Sequence, residues 1–179
     1  MMEGEEYLVV PKERIAVIIG PKGETKKHIE NKTKTKIKIN SKSGEVEVEA
    51  RGNAVSLYIA SNIIRAIGRG FSPEHALYLL GESHVLEIID LTEILGKSEK
   101  ALQTKRGRII GKKGKIREEI EKKTQTFISV YGKTVGIIGE MEKVQKAKEA
   151  IEMLLNGATH DTVKRFLGRA EREERRFEL

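Results

Sequence analysis

The chain of 179 residues contains no cysteine and no tryptophan. Without thiols there is neither a disulfide framework nor a thiolate metal site. Aromatic residues make up only 4%, too few for the base-stacking platforms of RRM or OB-type binders. The only aspartates are Asp90 and Asp161. The glutamates lie mostly among lysines at helical spacing, where i,i+4 pairing explains them, so no carboxylate cluster of a metal-dependent nuclease can be assembled from the sequence. His28, His75, His84 and His160 are scattered with no ligand spacing. No stretch approaches the roughly 18–20 apolar residues that a membrane span needs. The acidic start, Met1-Met2-Glu3-Gly4-Glu5-Glu6, shows no apolar run of a signal peptide. The expectation is a soluble cytoplasmic protein without catalytic residues, metal or cofactor.

What the chain does have is charge. Lys and Arg total 34 against 27 Asp and Glu, a net charge of +7 and a pI near 9.5. A basic balance favours a polyanionic partner and says nothing about fold. With 38% hydrophobic residues the composition is that of a globular protein.

The chain also repeats itself. Ile18-Ile19-Gly20-Pro21-Lys22-Gly23 returns as Ile109-Ile110-Gly111-Lys112-Lys113-Gly114. At the same offset Ile29, Thr33, Thr35, Ile37 and Ile39 meet Ile120, Thr124, Thr126, Ile128 and Val130. A shorter turn near Tyr131-Gly132-Lys133 then shifts the register. After it Gly52, Ala60, Ile64, Ile67, Gly70 and Leu80 meet Gly139, Ala147, Ile151, Leu154, Gly157 and Leu167. Each copy reads as a short strand (Tyr7–Val10, Val85–Leu91), a short helix ending at the glycine loop, and a second helix. A hairpin with period-2 alternation (Lys36–Asn40 and Glu45–Ala50 in the first copy) and a long helix of 3.6-residue period complete it. Asn53 and Ser72 are expected N-caps, and Gly70 and Gly157 expected stops. This order, βααββα with one extra helix, predicts an α+β protein of two tandem type I KH domains, residues 1–82 and 83–179. Residues 92–103 of the second copy are an insertion that reads as an amphipathic surface turn. The charged stretch 169–179 reads as a solvated helix or tail, or as an extra RNA or protein contact.

The paired loops resemble the Gly-x-x-Gly loop with which KH domains clamp about four nucleotides. A helix N-terminus offers N–H groups and partial positive charge, and glycine lets a phosphate approach without a Cβ. The candidate RNA-contacting residues are Gly20, Lys22, Gly23, Lys26 and Lys27 in the first copy. In the second they are Arg106, Arg108, Gly111, Lys112, Lys113, Gly114, Lys115 and Arg117. Ile18, Ile19, Ile37 and Ile39, with Ile109, Ile110, Ile128 and Val130, are expected to floor the two grooves. From Lys105 to Lys123 nine residues are basic and three acidic; from Lys22 to Lys42 eight are basic and two acidic. Pro21 lacks an N–H, so the second copy is expected to bind more strongly. Neither loop is a Walker loop: Gly107 to Lys113 is one residue short and has a lysine where the hydroxyl belongs. Gly68-Arg69-Gly70 lacks the third glycine of a dinucleotide fingerprint.

The second half is more particular. Leu86-Glu87-Ile88-Ile89-Asp90-Leu91, Lys105 through Gly114, Ile128-Ser129-Val130-Tyr131-Gly132-Lys133-Thr134-Val135 and Ala150 through Gly157 resemble KH-domain ribosome assembly proteins of the Dim/Pno/Krr type. The resemblance is to their short archaeal members. It implies binding to the 3′ region of small-subunit rRNA during maturation. It further implies a Nob-type endonuclease or another assembly protein as partner. Eukaryotic relatives tend to have lost the first glycine loop, whereas Gly20 and Gly23 are kept here. Two other readings fit the residues: a single-stranded DNA binder, and a protein-interaction scaffold with a basic face.

Overall fold

The structure, a computed structural model, describes residues 4–50 and 53–177; Gly52, one of the repeat positions, lies outside them. The chain forms two compact units, Met1–Leu86 and Glu87–Leu179. In the first, β1 (Glu5–Val9) leads to α1 (Lys12–Ile19), a 3-10 turn at Pro21–Gly23, and α2 (Glu24–Thr33). The hairpin β2 (Thr35–Ile39) and β3 (Glu45–Ala50) follows, then α3 (Ala54–Gly68), α4 (Pro73–Ala76) and a 3-10 turn at Leu77–Leu80. The second copy runs β4 (His84–Asp90), α5 (Leu91–Leu95), α6 (Glu99–Ile110), a 3-10 turn at Lys112–Gly114, and α7 (Lys115–Thr124). It continues through β5 (Phe127–Tyr131), β6 (Thr134–Glu140), α8 (Met141–Leu155) and α9 (His160–Phe177).

The sheets have the same order, β1-β3-β2 and β4-β6-β5. In the first, β3 pairs antiparallel with both neighbours, placing Glu5, Glu49 and Lys36 in one row and Tyr7, Glu47 and Lys38 in the next. These are the outward residues of the alternation. Leu8, Val46, Val48 and Ile37 point the other way, into a core shared with Ile15, Ile18, Ile29 and the Ile63, Ile64 and Ile67 side of α3. The second core repeats this with Ile109, Ile120, Ile128, Ile137, Val144, Ile151 and Leu154. Each such side chain contributes about 2–3 kcal/mol by leaving water.

The threonines that recur in both copies have a physical role. Thr33 Oγ1 donates to the Ile29 carbonyl at 2.7 Å and lies 2.8 Å from Thr35 Oγ1. Thr124 repeats both contacts with Ile120 and Thr126, at 2.7 and 2.8 Å. The residue between each pair, Lys34 or Gln125, takes φ +54° or +51°, turning the chain sharply from helix into strand. The caps stand where expected: Asn53 accepts from the Ser56 amide at 3.0 Å and Ser72 from the His75 amide at 3.3 Å. Gly70 and Gly157 both sit at φ +96° after their helices.

The insertion lies at the surface as expected, but it is helical and not a turn. Residues 92–103 form most of α5 and the first turns of α6. The Asp90 carboxylate caps α5, accepting from the Thr92 amide at 2.8 Å and its hydroxyl at 2.6 Å. Ser98 caps α6, and Leu91 and Leu102 are buried. Two capping residues and two buried leucines outweigh the charged composition between them. The C-terminal stretch is helical through Phe177.

Candidate nucleic-acid interface

Both glycine loops have one conformation, and their two glycines do different work. Gly20 (φ 72°, ψ 175°) and Gly111 (φ 73°, ψ 178°) end α1 and α6 in a region reserved for glycine. A Cβ on Gly20 would stand 2.1 Å from Thr25 Oγ1 and 2.9 Å from its backbone nitrogen; one on Gly111 would stand 2.4 Å from Ile116 Cγ1. The first glycine therefore lets the following helix fold back against the loop. Gly23 (φ +76°) has nothing within 4 Å of a Cβ, and Gly114 (φ +77°) only Glu118 Oε1 at 3.6 Å. Their open side faces solvent. Lys22 and Lys113 are also left-handed, at φ 52° and 55°, so each loop carries a lysine at a strained tip.

The loop amides are partly used. Gly23 and Gly114 donate back to Gly20 and Gly111 at 3.1 and 3.2 Å, and the amides of Glu24 and Lys115 to Pro21 and Lys112. No side chain caps α2 or α7. The loop thus offers lysine charge and a Cβ-free surface more than a set of free amides. Lys22, Lys27, Lys112, Lys113 and Lys115 are exposed.

The other candidate cations are anchored. Lys26 pairs with Glu30 at 3.5 Å and Arg117 with Glu121 at 3.7 Å. The same glutamates accept the amides of Ile37 and Ile128, both at 2.7 Å. Because β2 and β5 are edge strands, the Ile37 and Ile128 amides point away from the ladder, and each glutamate pins its strand to the helix after the loop. The next outward positions, Ile39 and Val130, turn their backbone groups to the open edge. Arg106 donates to the Gly132 carbonyl at 2.7 Å and Arg108 to that of Ala158 at 2.6 Å. Both tie α6 to its surroundings just before the loop.

The aliphatic candidates split in two. Ile18, Ile37, Ile109 and Ile128 are at most 4% exposed and belong to the core, so a base cannot lie on them. Ile19, Ile39, Ile110 and Val130 are half-buried; Ile19 and Ile110 end the helices that lead into the loops, and Ile39 and Val130 lie in the edge strands. Helical rotation separates Ile18 from Ile19 by about 100°, a difference invisible in an aliphatic pair.

Three features carry no clear sequence signal. Arg14 holds the Ile67 and Phe71 carbonyls, both at 2.7 Å, and Lys105, its repeat partner, holds that of Leu155 at 2.6 Å. They fix the helix before each glycine loop to the end of the long helix and the residues just after it. Gly107 is exposed within α6 with nothing within 4 Å of a Cβ, leaving the approach to the second loop bare. Glu5, Glu47 and Glu49 form a carboxylate cluster within 4.8 Å, where none could be assembled from sequence; strand register alone brings Glu5 beside Glu49. Lys38 bonds both Glu47 (3.2 Å) and Glu49, and these contacts hold the lysine above its usual pKa and Glu49 below the usual carboxylate range. This lysine supplies the countercharge that a cation would.

Residues 5–66 match the KH domain family, and residues 85–172 the second-domain type I KH family of PNO1. A KH domain-containing protein of Methanocaldococcus jannaschii is 45% identical over 178 residues, covering 97% of this chain and 78% of the relative. The pre-rRNA-processing protein PNO1 of Chaetomium thermophilum is 34% identical over 107 residues, 58% of this chain and 40% of that protein. Among solved structures, Dim2p from Pyrococcus horikoshii superposes with a TM-score of 0.87 at 50% identity, over 93% of this chain and 99% of that one. A complex of a/eIF2alpha, aDim2p and rRNA from the same organism matches with a TM-score of 0.90 at 49% identity, over 96% of both chains. Two matched KH families, together with relatives of this identity and coverage, place the chain in the Dim/Pno family of KH-domain ribosome assembly proteins, which bind RNA.

Proposed function

We propose that the protein is a non-catalytic clamp for single-stranded RNA, acting on the 3′ region of small-subunit rRNA in ribosome assembly. Its two domains are residues 1–82 and 83–179. Above all, the second glycine of each loop supports this: Gly23 and Gly114 leave open space beside an exposed lysine. A phosphate fits there, and the neighbouring bases lie over Ile19 and Ile39 or Ile110 and Val130, with the edge-strand backbone within reach of their polar edges. Lys22, Lys112, Lys113, Lys27 and Lys115 supply charge. Lys26, Arg106, Arg108 and Arg117 position the loop and groove. The rRNA in the complex of a 49% identical relative supports RNA over DNA. That complex also contains a/eIF2alpha, and a protein partner of this kind, or a Nob-type endonuclease, fits a cytoplasmic assembly factor that holds the rRNA end while another protein acts on it.

The test is binding of a single strand from the 3′ end of small-subunit rRNA, with a DNA of equal sequence as competitor. Lys112→Asp/Lys113→Asp should weaken binding at least about tenfold, and Lys22→Asp less. Both glycines are kept, so the fold survives. Unchanged affinity in all variants, or metal-dependent cleavage of the RNA by pure protein, would overturn the proposal.

A further inference from the structure

We propose that the solvent face of α9 is a second RNA site, which takes the phosphate backbone of a base-paired segment; the choice of RNA as ligand rests on the reading of the glycine loops above. Val163 and Leu167 bury one side of α9, at 1% and 3% exposure. Arg165, Arg169, Arg172 and Arg176 are exposed. At about 100° per residue these four fall within about 60° of one another, on the side away from the buried pair. They rise over about 16 Å in steps of three and four residues, a ladder comparable to successive phosphates along one strand. Arg165 and Arg172 each lean one nitrogen on a carbonyl of the preceding turn, at 3.4 and 3.0 Å, and no ion pair to a described carboxylate is seen for any of the four.

Gly168 is the independent observation. It lies inside α9 beside the stripe, where glycine costs about 1 kcal/mol relative to alanine. Beyond the surrounding helical backbone, no atom of the described residues lies within 4 Å of a Cβ there, so tertiary packing does not explain it. A bare patch of backbone flanked by arginines lets a bulky anion come close. The face is convex and, among the described residues, carries no exposed aromatic, so it does not cradle and stack splayed bases as single-strand sites do. A-form duplexes are instead recognised through shape and backbone.

Position supports the same conclusion. The His160 ring contacts the Arg108 carbonyl at 3.1 Å, and Arg108 holds the Ala158 carbonyl. The start of α9 is thus fastened to α6 three residues before Gly111. Further along, Lys164 pairs with Glu119 of α7 at 3.3 Å. The arginine ladder is therefore fixed relative to the second glycine loop, set to meet a helix next to the clamped strand.

Two RNA probes test this by fluorescence anisotropy: one single strand, and the same strand followed by a hairpin of about ten base pairs. In one variant Arg165, Arg169, Arg172 and Arg176 are all changed to Gln, which keeps helix propensity. It should bind the hairpin-bearing probe about tenfold or more weakly, with the log–log salt slope smaller by roughly 3, and the plain strand within about twofold. Changing the four to Lys should retain most of the affinity. Gly168→Leu should weaken hairpin binding alone. Circular dichroism checks that the helix persists; if the glutamine variant loses it, the lysine variant and Gly168→Leu decide. Equal losses on both probes would make the ladder a single-strand contact, and undiminished hairpin binding would leave it to solvent or an acidic protein; either overturns the proposal. Lys112→Asp/Lys113→Asp separates the two readings. If it spares the plain strand, the loop mechanism falls, while the hairpin-specific difference still judges α9.

Discussion

At the scale of single residues, the two glycines of each loop are not equivalent. Gly111 is held at φ 73°, ψ 178°, and its missing Cβ makes room for Ile116 Cγ1, which would lie 2.4 Å away. Gly111→Ala combines backbone strain with overpacking, each about 1–3 kcal/mol. Gly114 is in the ordinary left-handed region with open space around it. Gly114→Ala should therefore cost only about 1–2 kcal/mol yet place a methyl where a phosphate must approach. Urea denaturation and RNA titration of the two variants should separate the effects: Gly111→Ala is chiefly a stability defect, Gly114→Ala chiefly a binding defect. Equal destabilisation by both would remove the packing contrast between the two glycines, and unchanged RNA affinity of Gly114→Ala would mean that the loop's openness has no bearing on RNA. The first copy repeats the contrast, with Thr25 in the place of Ile116.

At the scale of elements, the groove depends on an edge strand held by one side chain. Glu121 accepts the Ile128 amide at 2.7 Å and pairs with Arg117; Glu30 does the same for Ile37 and Lys26. Removing the acceptor strands a partly buried amide, which costs about 1–3 kcal/mol. Glu121→Ala should therefore speed hydrogen exchange at the Ile128 amide by at least about tenfold while the β5–β6 ladder stays protected. It should also weaken RNA binding, because Val130 lies on the same edge. Unaltered exchange at Ile128 would show that the strand needs no pin. The element order, the hairpin and the caps at Asn53 and Ser72 were legible in the sequence because period and capping chemistry are local. What stayed hidden depends on three-dimensional register. Nothing local distinguishes Ile18 from Ile19, or marks Arg108 as bound to Ala158 fifty residues away. Residues 92–103 misled because their helices are set by the Asp90 and Ser98 caps and by Leu102, the one buried residue among four charged ones. The Gly-x-x-Gly loops were visible as motifs, but the division between a packing glycine and an open one needed coordinates.

At the scale of the whole molecule, the repeat extends to everything that makes a fold independent. Each copy has its own three-stranded sheet, its own buried isoleucines from the helix after the loop and from the hairpin (Ile29 and Ile37, Ile120 and Ile128), and its own glycine loop. The two compact units meet between Leu86 and Glu87, inside β4, which begins at His84. A cut at that point removes three residues from a strand paired with β6, whereas a cut after residue 82 keeps the strand whole. Residues 83–179 should therefore unfold in one cooperative transition, and residues 87–179 should be less stable by about 1–3 kcal/mol. Binding divides differently from folding. The second copy has two exposed lysines in its loop against one in the first, whose Pro21 has no N–H to offer, so residues 83–179 should bind a short strand nearly as well as the whole chain. A strand long enough to reach both loops should gain from linkage, because engaging one loop raises the local concentration of RNA at the other. On the long strand the whole chain should therefore exceed residues 83–179 by about tenfold or more, and Lys22→Asp should abolish most of that excess. Equal affinity of the half and the whole on the long strand would mean that Gly20 and Gly23 shape a loop without clamping RNA.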